Sequence, residues 1–339
     1  MIKKLLSNFE WKRSADKFGP KRLVVFVVNS DCTKAVLFNR DGRKVEILET
    51  LMLPKWDLEN PETSFNAFRH DYEIDAHYCS VVLQLGKEQV RVLNVPRKEL
   101  RGDLDTAVFE LMGSDDSQAV VFDYDKTMSS TAVVPVLAAS LALEEAEAFR
   151  EEVIDAGFHP VSLDLSTSVV MNFVRHISGD EGYSGYFYVG DVTSVFVVFR
   201  KDFPVLIRHF GTGFRHIIDS IRKEFGFSED MALDTFFTNS FDFSACMRSF
   251  TPWFHQLGIC MDYVERHLHG VVKTMNVFGL GASSKVFCDT LESSVKRDVT
   301  ALELGGLLKD FVQGEVDDEQ IEFFLAIAVA VQQMLGGDR

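Results

Sequence analysis

The sequence predicts an α/β protein of two lobes built on one plan, with an inserted subdomain in each. Three observations lead there. With 339 residues, 46% of them hydrophobic, the chain can bury two sizeable cores. Asn29–Asp41 reads NSDCTKAVLFNRD, and 161 residues later Gly190–Asp202 reads GDVTSVFVVFRKD, which sets Val36, Phe38 and Asp41 on Val197, Phe199 and Asp202. Both stretches have the form strand, tight turn, strand, charged turn, strand, filled with β-branched and aromatic residues, and helix-rich segments follow each.

In chain order, the first 22 residues hold seven basic residues against Glu10 and Asp16. Within them Ile2, Leu5, Leu6 and Phe9 fall at i, i+3, i+4 and i+7, an apolar stripe on a basic helix. The first hairpin strands occupy residues 24–50, a helical stretch runs from Pro61 to Ile74, and strands follow at Tyr78–Leu85 and Gln89–Pro96. Residues 97–164 hold a further α/β pattern: a helix over Leu104–Met112, strands over Ala119–Asp123 and Val133–Ala139, and a helix over Leu143–Ala156 that Gly157 closes, with a strand after Pro160. In the second half, Phe214, Ile217, Ile218 and Ile221 make one helix face and Gly226 suits its C-terminus. The aromatic-rich run from Asp234 to Phe254 reads as the core of a small helical subdomain. The chain therefore divides into a basic segment at 1–22, a first-lobe core at 23–96 and 165–185, an insertion at 97–164, and a second lobe at 186–339 with a helical subdomain over about 225–275.

Composition narrows the function. A net charge of −16, from 51 acidic against 35 basic residues, argues against a general nucleic-acid binder, because neutralising phosphates needs clustered Lys and Arg. Cys32, Cys79, Cys246, Cys260 and Cys288 are widely spaced with no CxxC pair, so they read as reduced thiols of a cytoplasmic protein and predict no metal site. His255 and His269 share a helix face about four turns apart, too far for one metal. The most apolar helix candidate, Phe323–Val331, is far short of the ~20 residues that cross a bilayer. No GxSxG, HExxH or GxxxxGK[ST] is present, which removes the hydrolase, zinc-protease and P-loop readings.

Several motifs then fall in a telling order. AGFHPVSLD, Ala156–Asp164, is similar to aGLxPxxVD of PilM-like pilus-assembly proteins, members of the actin-like ATPase superfamily with its duplicated ribonuclease H-like fold. The resemblance covers nearly the whole chain. The family's opening hairpin, DIGxxxxK, resembles the stretch ending at Lys34, with Val27 at the acid and Asn29 at the glycine. Its second hairpin, DIG…T, resembles YVGDVT, with Tyr188 at the acid and Gly190 kept, followed by Arg208 and the turn GTG at Gly211–Gly213. The family's adenosine-contacting turn LxGGG resembles VFGLGASS, with Gly279 and Gly281 kept, and Gln256 stands where a nucleotide-contacting glutamate would.

The resemblance implies ATP and Mg²⁺ as cofactors, with Ser30, Asp31, Thr33, Lys34, Gly190, Asp191, Thr193, Gly211, Gly213, Gln256, Gly279 and Gly281 as the nucleotide-site candidates. In such hairpins glycine lets backbone N–H groups approach the phosphates, while the two acids hold hydrated Mg²⁺. Valine and tyrosine do neither, which predicts a scaffold without hydrolysis, against the alternative of an active ATPase resembling FtsA. A secretion protein resembling GspL is a third possibility. The family implies a single-pass inner-membrane partner, PilN-like, whose cytosolic N-terminal tail binds where the insertion meets the opening sheet. The candidates there are Val92, Leu93, Val95, Val134 and Val136. The expected location is the cytoplasmic face of the inner membrane.

The basic start generates the first prediction, since each basic residue near an anionic surface contributes about 1 kcal/mol. The protein should co-sediment with anionic vesicles in a salt-sensitive way, and deleting residues 1–18 should abolish this while circular dichroism is unchanged. Co-sedimentation that survives the deletion retires the idea.

Overall fold

The computed structural model describes residues 19–57, 59–84, 89–124, 132–177, 182–238, 247–280, 284–314, 316 and 322–335. The N-terminal stripe Ile2–Phe9, Gly281 and residues 239–246 of the aromatic run lie outside them. Two compact units emerge: residues 1–170, 309–315 and 323–339, and residues 171–308 and 316–322.

The first unit is organised around strand β1 (Arg22–Asn29), whose residues from Leu23 to Asn29 are all buried. A strand apolar on both faces needs cover on both. β1 pairs antiparallel with β2 (Thr33–Asp41), which pairs with β3 (Lys44–Leu53). On its other side β1 runs parallel to β4 (Tyr78–Gln84), followed by β8 (His159–Leu165), giving the order β3-β2-β1-β4-β8. Phe26 meets Phe65 at 4.8 Å and Phe158 at 5.9 Å between ring centroids, on the face covered by α1 (Phe65–Asp71) and α3 (Leu143–Asp155). The opposite face takes α10 (Phe324–Leu335), apolar all round, whose residues from Phe324 to Ala330 are all buried.

Gly157 closes α3 in the left-handed region at φ 76°, as its position predicts. Arg69 donates to the Ala156 carbonyl at 2.6 Å with its guanidinium over the Phe158 ring at 4.6 Å, so the AGFHP segment is fixed to α1. Trp56 stacks on Phe149 at 4.2 Å and donates its indole N–H to Glu152 at 2.6 Å, while the other Glu152 oxygen accepts from the Phe65 amide at 3.0 Å.

The insertion has its own three-stranded antiparallel sheet in the order β5-β7-β6, from β5 (Gln89–Pro96), β6 (Gln118–Tyr124) and β7 (Val133–Ala142). Val108 and Met112 of α2 (Leu104–Met112) pack on its Leu93, Val95, Val120, Val136 and Ala138.

The second unit repeats the main sheet. β9 (Tyr183–Val189), β10 (Ser194–Arg200), β11 (Phe203–Phe210), β12 (Val272–Phe278) and β13 (Asp298–Ala301) take the order β11-β10-β9-β12-β13, position for position that of the first. After α4 (Ser166–Ile177) and these first three strands come α5 (Phe214–Phe225), α6 (Glu229–Phe237), α7 (Met247–His267), α8 (Ser284–Val295) and the short α9 (Leu304–Leu308). Ile217, Ile218 and Ile221 bury the predicted face of α5, and Gly226 ends it at φ 68°. Phe187, Phe210, Trp253 and Phe287 form the aromatic centre of the core.

Four domain boundaries differ from the sequence reading. β5 belongs to the inserted sheet, because all eight of its residues pair with β7. β8 belongs to the main sheet, because it pairs with β4. β9 starts inside the span assigned to the first lobe, and Tyr183 and Gly185 already pair with β12. Residues 309–315 and α10 return to the first unit: Val45 bridges Val312, and Lys44 donates to the Lys309 carbonyl at 2.8 Å.

Burial raises the Glu152 carboxyl above its ordinary value, against the lowering by the Phe65 and Trp56 N–H groups. Glu152→Gln offers one acceptor to two donors and should cost about 1–3 kcal/mol. The folded chain holds this proton more tightly than the unfolded chain. Its contribution is therefore full below the ordinary glutamate value of 4.5 and is lost as pH rises through the raised folded value. Urea midpoints against pH should show that slope in wild type and lose it in the variant; coincident curves count against the clip.

Candidate nucleotide hairpins

Hairpin 1 joins β1 to β2, and the pairing of Val28 with Thr33 leaves Asn29–Cys32 as the turn. The Asn29 amide donates to the Cys32 carbonyl at 3.1 Å. The Asn29 side-chain oxygen accepts from the amides of both Asp31 and Cys32 at 2.8 Å, an Asx turn closed on its own backbone. Ser30 and Asp31 are exposed, the Ser30 hydroxyl donating to Asp31 at 3.0 Å. Thr33 and Lys34 are buried. The Thr33 hydroxyl accepts from the Trp56 amide at 3.1 Å, and the Lys34 ammonium lies 5.7 Å from the Phe323 ring centroid. Val27, expected from the resemblance at an acid position, is buried in β1 opposite Lys34.

Hairpin 2 joins β9 to β10 and is fastened to the turn before α5. The Gly190 amide donates to Thr193 at 3.1 Å, while the carbonyls of Gly190 and Asp191 accept from the first-turn amides of Phe214 at 2.7 Å and Arg215 at 3.0 Å. The Arg215 guanidinium reaches the Asp191 carboxylate at 3.3 Å. Ser194 donates to the Thr212 carbonyl at 2.8 Å, and the Trp253 indole donates to the Thr212 hydroxyl. Gly211 is exposed, and Gly213 sits so close that a Cβ there would lie 2.3 Å from the Gly190 oxygen. Tyr188, at the second acid position, is buried with its ring 5.3 Å from that of Phe278. Burial and then the nearby Asp191 carboxylate push its hydroxyl well above the ordinary tyrosine value, so it is a neutral phenol. Gly279 is left-handed at φ 98°, and a Cβ there would lie 3.1 Å from the Tyr188 ring and 2.3 Å from the Val189 oxygen. Gln256, on α7, accepts from Arg208 at 2.8 Å.

Within the second unit the candidates at Gly190, Asp191, Thr193 and Gly213 are brought together, and Tyr188 links that turn to Gly279. Mg-ATP would need carboxylates at the two strand ends and free loop amides. Val27 and Tyr188 supply no carboxylate, and Asn29 has engaged two amides of hairpin 1. Among the described residues no group of three His, Cys, Asp or Glu side chains can hold a metal. The role of Asn29 was missed in the sequence, although an Asn two residues before a turn amide is the Asx signature.

The structure also places the partner-site candidates. Leu93, Val95 and Val136 are core side chains under α2, and Val134 is fully buried opposite Val95, so those four line no open groove. Val92 is half-buried on the opposite face of the inserted sheet, in register with Leu137, and Val121 and Val133 of that face are exposed.

No family model matches the chain, and no curated protein matches it. Among solved structures, a chain of a PilM–PilN type IV pilus biogenesis complex superposes with a TM-score of 0.68 at 15% identity, over 94% of this chain and 100% of that one. The fold is actin-like. MreB 5 of Spiroplasma citri bound to AMPPNP gives 0.49 at 8% identity over 92% and 96% of the two chains. A Bacteroides thetaiotaomicron protein with an actin-like ATPase fold and unknown function gives 0.46 at 8% over 83% and 91%. At these identities the likeness concerns the fold alone.

Gly213 provides a direct test of hairpin 2. In Gly213→Ala the new methyl meets two backbone carbonyls, at 2.3 and 2.5 Å, that cannot step aside as a side chain would. A loss of about 1–3 kcal/mol or more is expected from chemical denaturation. A neutral substitution would mean that the turn does not pack as described.

Proposed function

We propose that this chain is a cytoplasmic actin-like scaffold of a type IV pilus-like or secretion-like machine. In this reading it binds the cytosolic N-terminal tail of a single-pass, PilN-like inner-membrane protein and does not hydrolyse ATP. The observation that carries it is the full-length likeness to a chain of a PilM–PilN complex. Two features of the chain fit alongside it. The acid positions of both hairpins hold Val27 and Tyr188, which leaves no carboxylate at either strand end to position Mg²⁺ or an attacking water. The inserted sheet presents Val92, Leu137, Val121 and Val133 on the face away from α2, an apolar surface suited to an extended peptide. The proposed docking face is therefore that one, with Val92 retained from the sequence candidates. The basic residues 1–22 would hold the scaffold near an anionic bilayer.

The test uses a synthetic peptide of the cytosolic N-terminal tail of a PilN-like single-pass membrane protein from the same genome. Val92→Glu and Val121→Glu should each weaken its binding roughly tenfold or more while circular dichroism is unchanged. Val95→Glu, a buried core change, should unfold the insertion. Wild-type binding by both exposed-face variants moves the docking site elsewhere, and no binding by wild type removes the scaffold reading. Phosphate release from Mg-ATP should stay at the buffer blank; measurable turnover would favour the FtsA-like ATPase instead.

A further inference from the structure

We propose that hairpin 1 carries its own anion substitute. The Asn29 carboxamide oxygen holds the Asp31 and Cys32 amides that an actin-like phosphate loop presents to a nucleotide, so this chain keeps the loop in shape with no nucleotide at all. The geometry is specific. Both N–H···O distances are 2.8 Å, short for amide donors, and Asn29 is 1% exposed, so the acceptor is part of the packed end of β1. A glycine at this position has no side-chain acceptor and leaves these amides pointing outward, the arrangement that makes a turn an anion nest. With asparagine there, a phosphate oxygen must displace an acceptor that is covalently tethered and already aligned. The usual compensation is missing, because Val27 places no carboxylate beside the loop to hold a cation.

The rest of the turn agrees. The Asn29 amide donates to the Cys32 carbonyl and its carboxamide N–H to the Cys32 sulfur at 3.4 Å, so one residue takes part in four hydrogen bonds that brace the four-residue turn. Thr33, the next residue, is committed to the Trp56 amide, which links the turn to the Trp56–Glu152 clip of the same unit. The chemistry therefore points to a hairpin that is constitutively in the closed form, in which the protein's shape and its partner binding do not follow the ATP-to-ADP ratio. This does not rest on the identity of the partner.

The test reads the loop directly. In wild type without nucleotide, hydrogen exchange at Asp31 and Cys32 should be slow, and neither that rate nor the melting temperature should move with Mg-ATP or Mg-ADP at millimolar concentration beyond a Mg²⁺ and ionic-strength control. In Asn29→Ala the two amides should exchange roughly tenfold faster or more, and the melting temperature should fall. A saturable rise in wild-type melting temperature with Mg-ATP overturns the proposal, as does unprotected exchange at these amides in wild type. Unchanged exchange in Asn29→Ala does the same. If that variant fails to fold, the two wild-type measurements still decide.

Discussion

Everything in the first unit hangs on the burial of β1. Leu23 to Val28 is an unbroken apolar run, and in a sheet with one solvated face half of it would face water. The run is stable only with aromatic cover from Phe65 and Phe158 on one face and α10 on the other. That double cover fixes β1 in the sheet, and with it the place where the chain must turn back into β2. The site inherits its position from this constraint. Asn29 is the last residue of the buried run, so its side chain has no water to bond and turns to the nearest donors, the amides of its own loop.

The second unit reaches the same topology by a different interior. Its leading strand carries Phe187 and Tyr188, and Trp253 of α7 and Phe287 of α8 pack on Phe187, where the first unit sets Phe65 and Phe158 against the single Phe26 of β1. Tyr188 shows what this does to a strand end: its ring packs on Phe278 and lies against Gly279, which makes it part of the core, and burial keeps its hydroxyl neutral. The strand ends of the two hairpins are thus packed in two ways, a strand interior at Val27 and an aromatic contact at Tyr188.

Much of this was legible in the residues. The 161-residue offset anticipated the repeated strand order because alternation and turn chemistry are local signals. Gly157 and Gly226 marked helix ends because left-handed caps demand little beyond the glycine itself. What failed was nonlocal. That β5 joins the insertion and β8 the main sheet depends on which strand each meets in space, and both have the same apolar texture. The partner candidates met the same limit: five valines and leucines on two strands carry no mark of which face α2 covers, and Leu93, Val95 and Val136 lie beneath it. The Asx turn was the subtler omission, since counting toward a glycine motif draws attention to the residue that is missing rather than to what asparagine does in its place.

The return of residues 309–315 and of α10 to the first unit makes the second unit an excursion within the first rather than an appendage after it. A chain shortened before Phe323 would appear to have been trimmed in its second half, yet it would strip the cover from β1 and β2 nearly three hundred residues earlier in sequence. Contacts of such long sequence separation form late and slowly. During synthesis the opening sheet must therefore wait, with one apolar face bare, until the ribosome has passed Leu335. α10 is then the piece that covers the first strand.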